Sequence, residues 1–219
     1  MKSKARETAR PDLNFEIELW EQGLRQVAGM DEAGRGALAG PVAVGVVCLP
    51  PDPRVAVHLH GVRDSKQLTP QERAHWANLI KAHALTWAVG FASNDEIDRL
   101  GIVPAVRLAA LRALNALSCE PQHLLIDYFQ LPQCSLPQTA LIKGDQRCLS
   151  IAAASILAKT ERDRWMTEIA ATYPQYGFAA HKGYATAIHL ERIRRWGACP
   201  IHRRSFAPLC SLTPATESQ

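Results

Sequence analysis

Three times in this chain an apolar, strand-like run finishes in a carboxylate or leads straight to one. Gln26–Met30 runs into Asp31-Glu32, Leu124-Leu125-Ile126 into Asp127, and Thr139–Ile142 passes through Lys143-Gly144 to Asp145. Charges at strand ends in an α/β sheet project into the cleft where ligands bind. The pattern therefore predicts a sheet whose acids gather at one edge. Around these runs, Pro41 opens a dense β-branched segment, Val42–Leu49, which reads as a buried strand. Thr69-Pro70 has the cap and first-turn proline of a helix that continues to His83. Leu85–Ala92 reads as a strand, and Asn94 as the cap of a helical region that breaks near Pro104 and resumes to Leu117. Leu149–Tyr173 and Thr186–Trp196 read as helices, the first alanine-rich and then charged. Early strands followed by alternating strands and helices predict a mixed sheet with helices on its faces.

The 219 residues suit one domain with a single core, and 47% apolar against 21% charged residues excludes wholesale disorder. Residues 1–20 read as a flexible basic arm. Residues 21–210 read as the domain, helical from about residue 174, and 211–219 as a tail. No apolar stretch approaches the ~18 residues of a membrane span. The N-terminus MKSKARETARPDLNFE is too charged for a secretory signal, so the expectation is a soluble, cytoplasmic protein. Six cysteines without a CxxC pair read as idle thiols, not a zinc site. The net charge of +4 is modest, but residues 143–205 carry 11 Lys and Arg against 5 Asp and Glu. Arg192, Arg194, Arg195, Arg203 and Arg204 there form either a phosphate-binding footprint or a solvated helix face, and charge alone does not separate the two.

Carboxylates gathered at one edge repel one another unless a cation holds them. Oxygen ligands without Cys or His favour Mg²⁺ or Mn²⁺, and two ions ~3.5–4 Å apart would serve in-line attack at a phosphodiester. Taken singly, each acid has another reading: Asp145 as a helix cap, Asp127 as a turn former, Glu32 as an exposed strand end, Asp31 as a brace for the glycine loop. Taken together, the spacing favours the metal site by a narrow margin. Gly34-Arg35-Gly36, followed by Gly40-Pro41, is neither a Walker nor a Rossmann loop. It is either an ordinary tight turn or a place where backbone amides and an arginine fork meet a ligand.

Longer strings are more specific. Gly29-Met30-Asp31-Glu32-Ala33-Gly34-Arg35-Gly36-Ala37-Leu38-Ala39-Gly40-Pro41-Val42 resembles the opening signature of the type 2 ribonucleases H, in particular the bacterial ribonuclease HII family. Asp64-Ser65-Lys66-Gln67-Leu68, Leu125-Ile126-Asp127, Lys143-Gly144-Asp145, Ser150–Lys159 with Arg162-Asp163, His181-Lys182-Gly183-Tyr184 and Ile201–Phe206 continue the resemblance in order, over about residues 27–208. It implies a ribonuclease H-like α/β fold, a five-stranded mixed sheet flanked by helices with a small C-terminal helical region. It also implies hydrolysis of the RNA strand of RNA–DNA hybrids and nicking 5′ of ribonucleotides embedded in duplex DNA, with Mn²⁺ or Mg²⁺ as cofactor and a monomeric protein.

On this resemblance Asp31, Glu32, Asp127 and Asp145 are the catalytic, metal-binding acids. Gly34, Arg35 and Gly36 sense the ribose 2′-hydroxyl, Tyr184 packs on the sugar, and Lys66 and Lys182 contact phosphate. Only a 2′-hydroxyl contact separates a ribonucleotide from its deoxy neighbour in one duplex. His181, His189 and His202 read as structural or phosphate-facing. Asp163, with Lys159 four residues before it, reads as an ion pair or as support behind the metal ligands. Two positions depart from the pattern: Ala37 stands where proline is common, and Tyr128 where many members have glycine. The rivals are another ribonuclease H-like nuclease, such as a resolvase or transposase core, and a catalytically idle hybrid-binding protein.

Overall fold

A computed structural model describes residues 10–211. In chain order the elements are α1 (Asn14–Glu21), β1 (Val27–Ala33), β2 (Val42–Cys48), α2 (Val55–His58), α3 (Pro70–His83), β3 (Thr86–Ala92), α4 (Asn94–Leu100) and α5 (Ile102–Asn115). They continue with β4 (His123–Asp127), β5 (Gln138–Leu141), α6 (Leu149–Ile169), α7 (Phe178–His181) and α8 (Ala187–Trp196). The five strands form one mixed sheet in the order β3-β2-β1-β4-β5. β1 and β4, and β4 and β5, run parallel, while β2 pairs antiparallel with both β1 and β3. The β-branched run of β2 is buried at every position, as a central strand covered on both faces must be. On one face Val47, Leu125 and Leu141 pack with Ile151, Ala154 and Ile156 of α6; on the other Val44, Val46 and Ile126 pack with Val106 and Ala109 of α5. This is the ribonuclease H-like α/β architecture expected from the sequence.

α6 approaches the sheet closely because both surfaces are small. Residues 149–158 are all buried, and the strands answer with glycine. A Cβ on Gly29 would lie 2.2 Å from the Ser150 carbonyl carbon, and one on Gly45 2.3 Å from the Ala154 carbonyl oxygen. That close approach brings the start of α6, and Asp145 just before it, against the ends of β1 and β4.

Three local expectations are corrected. The reading of residues 1–20 as a flexible arm fails for its second half, and its first nine residues lie outside the described ones. Asn14–Glu21 is a helix, with Leu13, Glu16 and Trp20 buried. The surrounding charge hid its apolar stripe of Leu13, Ile17 and Trp20, which follows helical spacing. The cap of α4 is Ser93, not Asn94: Ser93 accepts from the Glu96 amide and Glu96 reaches back to the Ser93 amide, a capping box. Asn94 instead donates to the Pro200 carbonyl at 2.9 Å. The break between α4 and α5 falls at Gly101, whose φ is +84°, and Pro104 lies in the first turn of α5, where its missing N–H costs nothing. All six cysteines are free. No helix among the described residues is long and apolar enough to cross a membrane.

Candidate active site

β1, β4 and β5 are parallel neighbours, so their C-terminal ends share one edge of the sheet. Asp31 and Glu32 lie within the last turns of pleat in β1, Asp127 ends β4, and Asp145 sits in a 3₁₀ turn (Gly144–Gln146) after β5. Asp145 is therefore not the cap of α6; Cys148 holds that position. Asp31, Asp127 and Asp145 each offer a carboxylate oxygen within 4.8 Å of the other two. Glu32, on the opposite side of the pleat from Asp31, stands outside this trio and meets Arg35 at 3.5 Å.

The trio is held from behind. Asp31 Oδ1 accepts from the Glu32 amide at 2.7 Å, and the nearby Ser155 hydroxyl favours the charged form of Asp31. Ser155 is tied in turn to Ser65, the two hydroxyl oxygens 2.9 Å apart. Asp127 Oδ1 accepts from the Gly144 amide at 2.7 Å. Burial, and then the charge of Glu32, holds the Asp31 carboxyl well above the usual carboxylate range. Burial likewise raises Glu32 and Asp127, and burial with the charges of Asp64 and Asp127 pushes Asp145 up to about 6. Crowded, half-desolvated acids of this kind gain from a bound cation. An all-oxygen donor set of this charge fits a hard divalent ion.

Lys66 faces the same space, its ammonium 3.9 Å from Asp145 Oδ2. Partial burial opposes its charge, but Asp64, Asp31, Asp145 and Asp127 together raise its pKa. Lys182 is turned elsewhere: its ammonium donates at 2.6 Å to both Thr167 Oγ1 and the Ala179 carbonyl. It still borders a groove of about 530 Å³ with Arg73, Lys159, Asp163 and Tyr184. Asp163 pairs with Lys159 at 2.8 Å and Arg73 at 3.6 Å. The Tyr184 ring is half-buried, with Lys159 Nζ 5.1 Å and the Arg162 guanidinium 5.3 Å from its centre. The loop Gly34–Gly36 leaves β1 directly after the acids, and Leu38 N–H donates to the Gly183 carbonyl at 2.8 Å, so loop and tyrosine sit on adjoining segments. His181, His189 and His202 are buried together and serve structure.

Sequence reasoning gave no site role to Asp64, Ser155 or Arg162, and it placed Arg203 on a basic surface, either phosphate-binding or solvated, whereas Arg203 is fully buried. Asp64 is a further buried carboxylate close enough to act on Asp145. Its only local signal was an acid two residues before Lys66, and its Oδ1 caps the turn through the Lys66 amide at 2.9 Å.

The model of the family "Ribonuclease HII" matches residues 28–209. A ribonuclease HII from Dehalococcoides mccartyi is 52% identical over 200 residues, covering 90% of this chain and 93% of that protein. One from Geobacillus kaustophilus is 51% identical over 205 residues, covering 94% and 77%. Among solved structures, the ribonuclease H2 of Pyrococcus horikoshii superposes with a TM-score of 0.69 at 28% identity, covering 85% of this chain and 96% of that one. With the acids of three neighbouring strands at one edge and identity at this level over nearly its whole length, the chain belongs to the ribonuclease HII family and is an endoribonuclease of the ribonuclease H class.

Proposed function

We propose that this enzyme hydrolyses the RNA strand of RNA–DNA hybrids and nicks duplex DNA 5′ of embedded ribonucleotides, acting as a cytoplasmic monomer in ribonucleotide removal. The observation that carries the reading is the convergence of Asp31, Asp127 and Asp145 beside the Gly34–Gly36 loop and Tyr184. A general phosphodiesterase needs the acids alone; a loop of free amides next to an aromatic ring adds the means to recognise a 2′-hydroxyl.

In this reading the trio, with Glu32 as the fourth acid, holds two Mg²⁺ or Mn²⁺ ions. When bound, the ions supply Lewis acidity for the attacking water and the departing oxygen. The chain's own groups do the rest. The Glu32 and Gly144 amides keep the Asp31 and Asp127 carboxylates aimed, and the Ser155 hydroxyl favours the charged form of Asp31. Lys66 adds a positive charge at the mouth of the site, suited to a phosphate of the cut strand. Gly34, Arg35 and Gly36 meet the ribose, and Tyr184 packs on the adjoining sugar. Lys182 lines the groove beyond it. Water adds at phosphorus and the bond to the 3′-oxygen breaks, leaving a 5′-phosphate and a 3′-hydroxyl.

The test is cleavage of an end-labelled DNA duplex carrying one ribonucleotide, with Mg²⁺, Mn²⁺ or EDTA, beside an all-DNA duplex and a continuous hybrid. A metal-dependent cut 5′ of the ribonucleotide, absent from the all-DNA duplex, is expected. Asp127→Asn is expected to lower the rate about a thousandfold or more, equivalent to ~4 kcal/mol of transition-state stabilisation, while hybrid binding persists. Near-wild-type cleavage by that variant overturns the metal assignment. Cleavage of the continuous hybrid alone overturns the ribose-reading assignment of the loop and Tyr184.

A further inference from the structure

Two arginines lie beneath the loop with main-chain carbonyls as their hydrogen-bond partners. Arg162, on α6, and Arg203, beyond α8, are fully buried. Asp163, adjacent to Arg162, is occupied by Lys159 and Arg73. Arg162 donates from Nε to the Pro41 carbonyl at 2.8 Å, from Nη2 to that of Ala39 at 3.0 Å and from Nη1 to that of Lys182 at 3.0 Å. One planar fork thus spans the end of the glycine-rich segment and the turn that carries Tyr184. Arg203 donates from Nε to the Gly40 carbonyl and from Nη1 to that of Arg35, both at 2.9 Å. Burying a guanidinium is costly, so carbonyls arrayed around two of them mark a geometry that a looser cation would not hold.

The Arg35 carbonyl is the informative partner. In a planar trans peptide the C=O and N–H point in opposite directions. Drawing the Arg35 carbonyl inward onto buried Arg203 therefore turns the Gly36 N–H outward, and Gly36 is exposed. Gly34 fits the same scheme: beyond its φ of +85°, a Cβ there would lie 1.9 Å from Arg162 Nε. The tyrosine side is fixed as well, since the Tyr184 carbonyl meets His189 Nδ1 at 2.9 Å and the Arg162 guanidinium lies by its ring.

We infer that Arg203 and Arg162 are positioning residues for ribose selection: the two buried guanidiniums set the outward aim of the Gly36 amide and fix the loop against Tyr184. This rests on the reading that loop and ring recognise the ribose. A lone ribonucleotide offers one 2′-hydroxyl, so its cleavage depends on that aim. A continuous hybrid offers many registers and an RNA backbone throughout, so the same acids tolerate a loosened loop better there.

The experiment compares kcat/KM on the single-ribonucleotide duplex and on a continuous hybrid, for wild type, Arg203→Lys and Arg162→Lys, with Tm measured alongside. Lysine keeps a long side chain ending in a nitrogen donor and loses the fork. The ratio of the two kcat/KM values is expected to fall tenfold or more in Arg203→Lys at a Tm close to wild type. Equal losses on both substrates overturn the inference and leave a structural role only. If neither variant folds, ¹⁵N-arginine NMR of the wild type decides: two guanidiniums with resolved, slowly exchanging Nη protons are expected, and rapidly averaging ones overturn the clip. A wild type that cuts hybrid but not the lone ribonucleotide defeats the ribose reading itself, and the NMR result then bears on the clip alone.

Discussion

Tyr128 follows Asp127 with φ at +65°, and Lys143 and Lys182 have φ of 55° and 52°. Each of these left-handed residues adjoins a proposed site segment, where backbone strain tends to collect. For Tyr128 the side chain gives nothing back, being 71% exposed. An L-residue there costs roughly 1–2 kcal/mol, partly matched by the chain entropy that glycine loses on folding. The departure seen in the sequence, tyrosine where glycine is common, thus falls where the backbone asks for glycine. Tyr128→Gly is expected to raise Tm by about 2 °C in a thermal melt. A lower Tm would mean that the ring makes a stabilising contact.

Between elements, the decisive fit is α6 on the sheet. Its alanine-rich half meets Gly29 and Gly45 with no room for another carbon, and the site depends on that distance because Asp145 leads into the helix. Gly45→Ala is expected to cost about 1–3 kcal/mol, as overpacking does, read as a lower urea midpoint. An unchanged midpoint would show that α6 can slide outward without loss. The start of α6 lacks a side-chain cap of its own. Glu16 of α1, 134 residues away, supplies it by accepting from the Ser150 amide at 2.8 Å. That buried carboxylate, its pKa raised by burial, is why residues 14–21 belong to the domain and not to an arm.

Over the whole molecule, buried histidines fasten the C-terminal helices. Cys199 N–H donates to His202 Nδ1 at 2.9 Å, and His189 Nδ1 faces the Tyr184 carbonyl at 2.9 Å. A neutral His202 therefore carries its proton on Nε2 and donates it to His189 Nε2, 3.1 Å away. Every ring nitrogen is used, and a further proton would remove an acceptor. Burial pushes both rings down to about 4, with His181 and Arg192 beside His189, and His189, His181 and Arg204 beside His202, acting in the same direction. Above pH 6.5 both folded and unfolded chains hold these rings neutral. Between 6.5 and about 4 the unfolded chain takes up protons that the folded one refuses, so stability falls as pH falls, by up to ~3 kcal/mol per histidine. Asp145, raised to about 6, works the opposite way in metal-free protein. Urea titrations from pH 7.5 to 4.5 on wild type and His202→Gln cancel that contribution. The wild type is expected to lose stability more steeply toward acid, and parallel curves would exclude the histidines as the cause.

Local chemistry alone determined much of this protein. Apolar periodicity marked the strands, Thr69-Pro70 a helix start, and acids at the ends of apolar runs the edge of the sheet, because each signal lies within a few residues. The acids' shared edge was legible for the same reason, and the resemblance named their roles. Contacts between distant segments were not legible, since nothing in a run of ten residues encodes them. Glu16 capping α6, Asp64 beside Asp145, Ser155 behind Asp31 and two buried arginines under the glycine loop are each set by packing across the fold. Only the tertiary structure decided that Asp31 joins the close trio while Glu32 stands at its margin, paired with Arg35, because the pleat sends neighbouring side chains to opposite sides and packing sets how near each comes to the other acids.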